Sequence, residues 1–308
     1  MTSSLSRPRP PGAPVRILQK IVYVETFCAD SSFERLAGRK SPDRSGEDNV
    51  DYLTYELRGD VAVIGLNRPE KRNAISDAFI EELAEAIRRA EREAKAAVIH
   101  GHGPHFCAGL DLAEHVKKTP FEGVHGSRRW HEVFGWIQRG KLPWFAALHG
   151  AVVGGGLELA SSVHVRVADR TAFFALPEGQ RGIFVGGGAS VRSARLMGVA
   201  RMTDMMLTGR SIDADTAERW NLVQYVVPEG EAVDKAVELA AHAATNAEIS
   251  TYAVIHALPR IQDMSTDDGL FVESFIASFT ATSPEAEARL NAFLQKKAGK
   301  VARPGDAG

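Results

Sequence analysis

Gly154-Gly155-Gly156 runs without a break into Leu157-Glu158-Leu159-Ala160, and few backbones accommodate that order. Three glycines carry no side chain, so their amide groups can approach another molecule closely. The residues that follow are good helix formers, and the apolar run before them reads as a strand. A strand, a glycine turn and a helix start aim free N–H donors and the positive end of the helix dipole at one point. Glu158 lies in that first turn, and a second carboxylate follows in Leu176-Pro177-Glu178-Gly179. An acid beside such donors, with another acid able to approach it, suits proton transfer next to a developing oxyanion.

The 308-residue chain can bury a large core in one or two domains. Its net charge of −2 gives no reason to expect a nucleic-acid partner. No apolar run approaches the roughly 20 residues that span a bilayer. The longest, 144–153, is broken by His149 and Gly150, so no membrane partner is expected. Cys28 and Cys107 are the two cysteines, which excludes a disulfide framework and points to a reducing, cytoplasmic setting. Residues 1–50 read as a separate N-terminal extension. Pro8, Pro10, Pro11 and Pro14 prevent an amphipathic targeting helix there. A disordered tail fits, as does a start codon placed upstream of the true one, and 17–27 has the composition of a strand.

From residue 51 the pattern becomes regular. Strands are expected at 52–56 and 61–66, around the turn at Arg58-Gly59-Asp60. Ser76 caps a helix reaching about Ala94, with Phe79, Leu83, Ile87 and Ala90 on one stripe and Glu85→Arg89 and Glu91→Lys95 pairs outside. A strand at 96–100, a helix at 127–138 and a strand at 144–148 precede the glycine turn. Strands at 163–168 and 172–175 follow it. The pattern is that of an α/β core at 51–245 with a helical region at 246–308. In that region 232–244, 251–258 (stopped by Pro259) and 270–280 read as helices. A further, final helix is capped by Ser283 with Pro284 at its first position and closed by Lys296, Lys297 and Gly299.

The strand at 96–100 ends in a second glycine-rich loop, Gly101-His102-Gly103-Pro104-His105-Phe106-Cys107-Ala108-Gly109-Leu110-Asp111-Leu112. Two such turns can supply two N–H donors to one oxygen, each worth roughly 3 kcal/mol in a transition state.

Leu66-Asn67-Arg68-Pro69-Glu70-Lys71-Arg72-Asn73-Ala74, Phe106–Leu112, His149–Leu159 and Leu176-Pro177-Glu178 together resemble the crotonase superfamily, the enoyl-CoA hydratase/isomerase family. The resemblance covers about residues 51–300. It implies a spiral of ββα units whose C-terminal helices build homotrimers or hexamers. It also implies an oxyanion hole from the N–H groups of Leu110 and Gly155, which hold the carbonyl oxygen of an acyl-CoA thioester. Coenzyme A enters as part of that substrate, and no separate cofactor or metal is implied. Contacts to it would come from Arg72, Ala74, Ala108, Gly109, Asp111, Leu112 and Gly154. Glu70 stands where some members carry a lysine, with Lys71 and Arg72 beside it. Phe279 and Lys296 are further candidates across a subunit interface, and Phe121, Trp130, Phe134 and Trp136 suggest a bulky or apolar acyl group.

Hydratases of the family resemble one another in keeping both acids, here Glu158 and Glu178. The implied reaction is syn hydration of a trans-2-enoyl-CoA to a 3-hydroxyacyl-CoA. Glu158 would deprotonate water at C3 and Glu178 would deliver a proton to C2. The alternatives are a Δ3,Δ2-enoyl-CoA isomerase, another acyl-CoA enzyme of the fold, or a non-catalytic or RNA-binding member. His100, His102 and His105 lack metal-ligand spacing and read as structural or solvated. Cys107 reads as a packing residue, and Gly186-Gly187-Gly188, after a strand-like 183–185, as a turn without a catalytic role.

Overall fold

Strand β2 (Val61–Leu66) is buried at all six positions, so both of its faces meet packed elements. The computed structural model describes residues 52–295 and 297. β2 pairs antiparallel with β1 (Leu53–Arg58) and parallel with β3 (Ala96–Gly101). The sheet continues in parallel through β4 (Trp144–Leu148), β6 (Val165–Asp169) and β9 (Tyr225–Val227), in the order β1-β2-β3-β4-β6-β9. A second sheet joins β5 (Ala151–Val153), β7 (Phe173–Ala175) and β8 (Ile212–Asp213). Helices α1 (Asp77–Glu93), α2 (Leu112–His115), α3 (Pro120–Arg139), α4 (Gly155–Ala160), α5 (Arg192–Met197), α6 (Val199–Thr208) and α7 (Ala214–Arg219) connect the strands. α8 (Ala232–Ala244), α9 (Glu248–Ile261), α10 (Thr266–Ala281) and α11 (Pro284–Leu294) close the described chain.

Period-two alternation divides the larger sheet into two faces. Val61, Val63, Val98, Phe145 and Val167 pack on Ala232, Ala236 and Ala240 of α8, whose small side chains let the helix lie close. Ala62, Ile64, Leu66, Ile99, Ala146 and Leu148 face the main core with Phe79, Leu83 and Ile87 of α1 and Phe134 of α3. Ser76 caps α1 by accepting the Phe79 amide, as its sequence suggests.

Several boundaries differ from expectation. α3 starts at Pro120 rather than 127, because Thr119 and Glu122 form a reciprocal capping box with proline in the first turn. α9 spans 248–261 and carries Pro259 within its last turn. A proline there removes one helical hydrogen bond near an end that frays anyway, so it does not stop the helix at 258. α10 begins at Thr266, capped by Ser265. α11 starts on Ser283 and Pro284 as expected but ends at Leu294, short of Lys297. On α1, Arg88 pairs with Glu85 and Arg89 with Glu93, while Glu91 accepts the Lys141 amide. Residues 183–185 form no strand. The expectations for 1–50, including the strand at 17–27, and for Lys296 and Gly299 fall outside the described residues.

Candidate active site

Two main-chain ladders bring the glycine loops together. Cys107 bridges Val152: its N–H donates to the Ala151 carbonyl at 3.0 Å, and its carbonyl accepts the Val153 amide at 3.0 Å. Gly109 follows with φ 98°, a left-handed conformation that L side chains rarely adopt. A Cβ there would also stand 2.8 Å from the Val153 carbonyl oxygen and 3.0 Å from the Gly155 nitrogen. On the other side, Gly109 O accepts the Ile75 amide (2.8 Å) and Ile75 O accepts the Asp111 amide (2.9 Å). Leu110 is thereby held between two used neighbours. Gly154, with φ 54°, donates to the Ala175 carbonyl and reverses the chain so that α4 begins at Gly155.

The first amides of a helix have no intrahelical acceptor. Among the described residues neither the Leu110 nor the Gly155 N–H donates to a protein acceptor. A Cβ built on Gly155 would lie 3.4 Å from the Leu110 nitrogen, which places the two amides side by side. Beneath them, the fully buried Asn73 donates through Nδ2 to the carbonyls of His102, His105 and Phe106 and accepts the Arg68 amide.

Glu158 sits in the first turn of α4, 3% exposed. Its Oε1 accepts the amides of Gly187 (2.8 Å) and Ala189 (3.1 Å). Burial pushes its carboxyl above the ordinary range, and the amides of 186–189 oppose that push. Glu178 is 6% exposed, and its Oε2 has no hydrogen-bond partner among the described residues. Burial, aided by the neighbouring Glu158 charge, raises its carboxyl to about 7. A group at that value holds its proton in about half of the molecules at neutral pH.

Both glutamates line one cavity of about 110 Å³ together with Leu110 and Gly155. Trp130 of α3 closes one wall. A Cβ on Gly155 or on Gly187 would come within 2.7 or 2.8 Å of its ring. Among the described residues the arrangement offers two amides without acceptors, one carboxyl braced by amides, and one carboxyl near neutrality whose Oε2 has no partner.

A model of the enoyl-CoA hydratase/isomerase family matches residues 56–300. The chain belongs to that family. It is 30% identical over 258 residues to enoyl-CoA hydratase EchA19 of Mycobacterium tuberculosis, covering 82% of this chain and 96% of the relative. It is 31% identical to 2,3-dehydroadipyl-CoA hydratase of Escherichia coli over 77% of this chain and 93% of that protein. A solved structure from Rhodopseudomonas palustris, provisionally named an enoyl-CoA hydratase, shares 48% identity with a TM-score of 0.78. That match covers 81% of this chain and 97% of the other.

In this member of the hydratase/isomerase family the residues named from sequence fall into two groups. Glu158, Glu178, Leu110, Gly155, Ala108, Gly109, Leu112 and Gly154 line the cavity. Arg72, Ala74 and Asp111 do not. Arg72 O accepts the Ala108 amide (2.9 Å), Ala74 O accepts Arg68 Nη1 (3.3 Å), and Asp111 pairs with Arg68 (2.8 Å) while capping α2. Glu70 is the second, looser partner of Arg68, at 3.8 Å.

Of the four aromatics expected around the acyl group, only Trp130 lines the cavity. Helical periodicity turns Phe134 into the core, Trp136 lies against Arg88 and Arg129, and Phe121 is exposed. Phe279 is exposed on α10. His102 bonds Thr54, and His105 Nδ1 accepts the Ala151 amide. Cys107 is buried, donates to the Asn73 carbonyl, and has its thiol pushed up to about 12 by burial, consistent with packing. Sequence reasoning missed Gly187, Ala189 and Arg192. The glycine run at 186–188 was a usable signal, but its acceptor is 29 residues away in sequence.

Proposed function

We propose that this protein catalyses reversible syn addition of water to a trans-2-enoyl-CoA, giving a 3-hydroxyacyl-CoA. What carries the reading is the convergence of Glu158 and Glu178 on one cavity with the unused Leu110 and Gly155 amides. The thioester oxygen lies between those amides. Glu158 takes a proton from water as the oxygen bonds C3, the C2–C3 π pair moves toward the thioester as an enolate, and Glu178 protonates C2. Glu158 Oε1 is occupied by two amides, which leaves Oε2 for the water. A Δ3,Δ2-isomerase moves one proton between C2 and C4 and needs one carboxylate, so it leaves the second buried acid without a task.

Coenzyme A lies over Ala108, Gly109, Leu112 and Gly154, with Arg72, Ala74 and Asp111 at the entrance, and it arrives as part of the substrate. The chain works as a homotrimer or hexamer. In support, Tyr252, Leu258, Phe271, Phe275, Phe279 and Phe293 on the terminal helices are each more than half exposed. No helix among the described residues is long and apolar enough to cross a membrane. A cytoplasmic setting fits the two cysteines.

The test is to offer 2-enoyl- and 3-enoyl-CoA thioesters to the purified protein and identify products. Hydration of the 2-enoyl thioester is expected, falling by about 10²–10⁴ in Glu158→Gln and in Glu178→Gln. Full activity of Glu158→Gln with isomerisation of the 3-enoyl thioester would overturn the assignment.

A further inference from the structure

Parallel strands exchange evenly spaced main-chain rungs, and the ladder joining the two glycine loops follows that rule around Cys107. The Cys107 amide donates to Ala151 O and the Val153 amide to Cys107 O, both at 3.0 Å. Continued one rung upstream, the Ala151 amide would donate to the His105 carbonyl. That carbonyl accepts Asn73 Nδ2 at 2.8 Å instead. The Ala151 amide donates to the ring Nδ1 of the same His105, at 3.1 Å. A side chain thus fills a main-chain rung.

The facing segment leaves room for the ring. Gly150 has φ 52°, and a Cβ there would stand 2.6 Å from His105 Nδ1. Next to it, His149 Nε2 donates to the Gly103 carbonyl at 2.9 Å, a second tie between the same two segments. An acceptor at Nδ1 requires a neutral ring with its proton on Nε2, because an imidazolium only donates. The charged and titratable side chains that bear on the ring are Arg72, from the loop before α1, and His149, and neither is an acid. Burial first, and then those two groups, hold the pKa of His105 below the ordinary histidine value.

Downstream of this tie the first loop runs on to Leu110 and the facing segment to Gly155, whose amides have no acceptor among the described residues. We propose that His105 is a positioning residue, whose ring Nδ1 sets the register between the two loops and so aligns the Leu110 and Gly155 amides on one oxygen. Protonation of the ring removes the acceptor, leaves the Ala151 amide unpaired and loosens that alignment. The register role belongs to the fold, and its effect on rate rests on the hydratase reading.

The experiment compares the full-length wild type with two variants. His105→Asn keeps an uncharged acceptor near the Nδ1 position and does not titrate, whereas His105→Leu has no acceptor. The first readout is hydrogen–deuterium exchange of the segment 149–153, compared at equal pH so that intrinsic rates cancel. At pH 8 His105→Leu should exchange faster than the other two, and at pH 5 wild type should exchange faster than His105→Asn. The second readout is turnover of a 2-enoyl-CoA thioester. At pH 8 His105→Leu should lose about tenfold in kcat with KM within about twofold, while His105→Asn stays within about twofold of wild type. At pH 5 wild type should fall about fivefold behind His105→Asn, a ratio in which the shared titrations of Glu158 and Glu178 cancel. Equal exchange in wild type and His105→Asn at pH 5 overturns the proposal, as does a rate ratio that stays constant from pH 8 to pH 5. Unchanged exchange in His105→Leu does the same, and the asparagine comparisons decide even where the leucine variant does not fold. If the exchange pattern appears but no 2-enoyl thioester is hydrated, the register role stands and the hydratase reading falls.

Discussion

The Gly187 amide donates to Glu158 Oε1 at 2.8 Å, while Glu178, in the same cavity, has an oxygen with no partner among the described residues. Two carboxylates of the same chemistry are thus made unequal by what surrounds them. Burial raises both carboxyls, but the amides of the 186–189 loop oppose that push on Glu158, while Glu178 rises to about 7.

Arg192 supports that asymmetry from behind. Its Nη1 donates to the Gly187 carbonyl at 2.9 Å and its Nε to Gln138 Oε1 at 2.8 Å. Arg192→Met should let the 186–189 loop shift, lowering kcat about 10–100-fold with little change in KM. Arg192→Lys should restore part of the rate. Steady-state kinetics with a thermal melt separates this from general unfolding, since a parallel loss of folded protein would remove the positioning role.

Stability should carry a pH signature of Glu178. Its folded value of about 7 exceeds the roughly 4.3 of an unfolded chain. Between those values the folded protein keeps a proton that the unfolded chain has lost, so stability falls as pH rises through that window and levels off above it. The penalty is at most about 4 kcal/mol, less any solvent screening. Urea midpoints at pH 5 and pH 8 should differ more in wild type than in Glu178→Gln. Equal differences in the two proteins would count against the raised value.

Gly109→Val should damage the oxyanion site more than the fold. At φ 98° the valine is strained, and its Cβ presses on Val153 O and Gly155 N. Misplacing one donor costs about 10²–10³ in kcat. Affinity for a saturated acyl-CoA should change far less than turnover, and a kcat within a few-fold of wild type argues that these amides do not hold the developing charge.

Asn73→Ala tests the support of the same loop. It leaves the carbonyls of His102, His105 and Phe106 without their donor in a site that is 0% exposed. A loss of about 2–4 kcal/mol is expected, read as a lower denaturant midpoint at unchanged slope. Asn73→Asp should fare no better, because a carboxylate cannot donate to carbonyls. A midpoint near that of wild type in either variant removes this role.

Much of the fold is legible from local signals. The cap at Ser76, the strand at Val61–Leu66 and the Ser283-Pro284 start all appear as the residues indicate. The errors sit where a short motif competes with a longer pattern. Thr119-Pro120 begins α3 ahead of its amphipathic stretch, and Pro259 is carried inside α9 because one missing bond near an end is tolerated. Trp130, Phe134 and Trp136 look alike in sequence and separate by helical phase.

By itself the sequence determined that two glycine turns would expose amides and that two acids would be available near them. Glycine's conformational freedom and helix-start chemistry are local properties, readable residue by residue. Only the tertiary structure decided which acid is braced, because Gly187 and Ala189 reach Glu158 from a distant loop. Burial and partnership set charge state and room, and both are properties of the assembled fold.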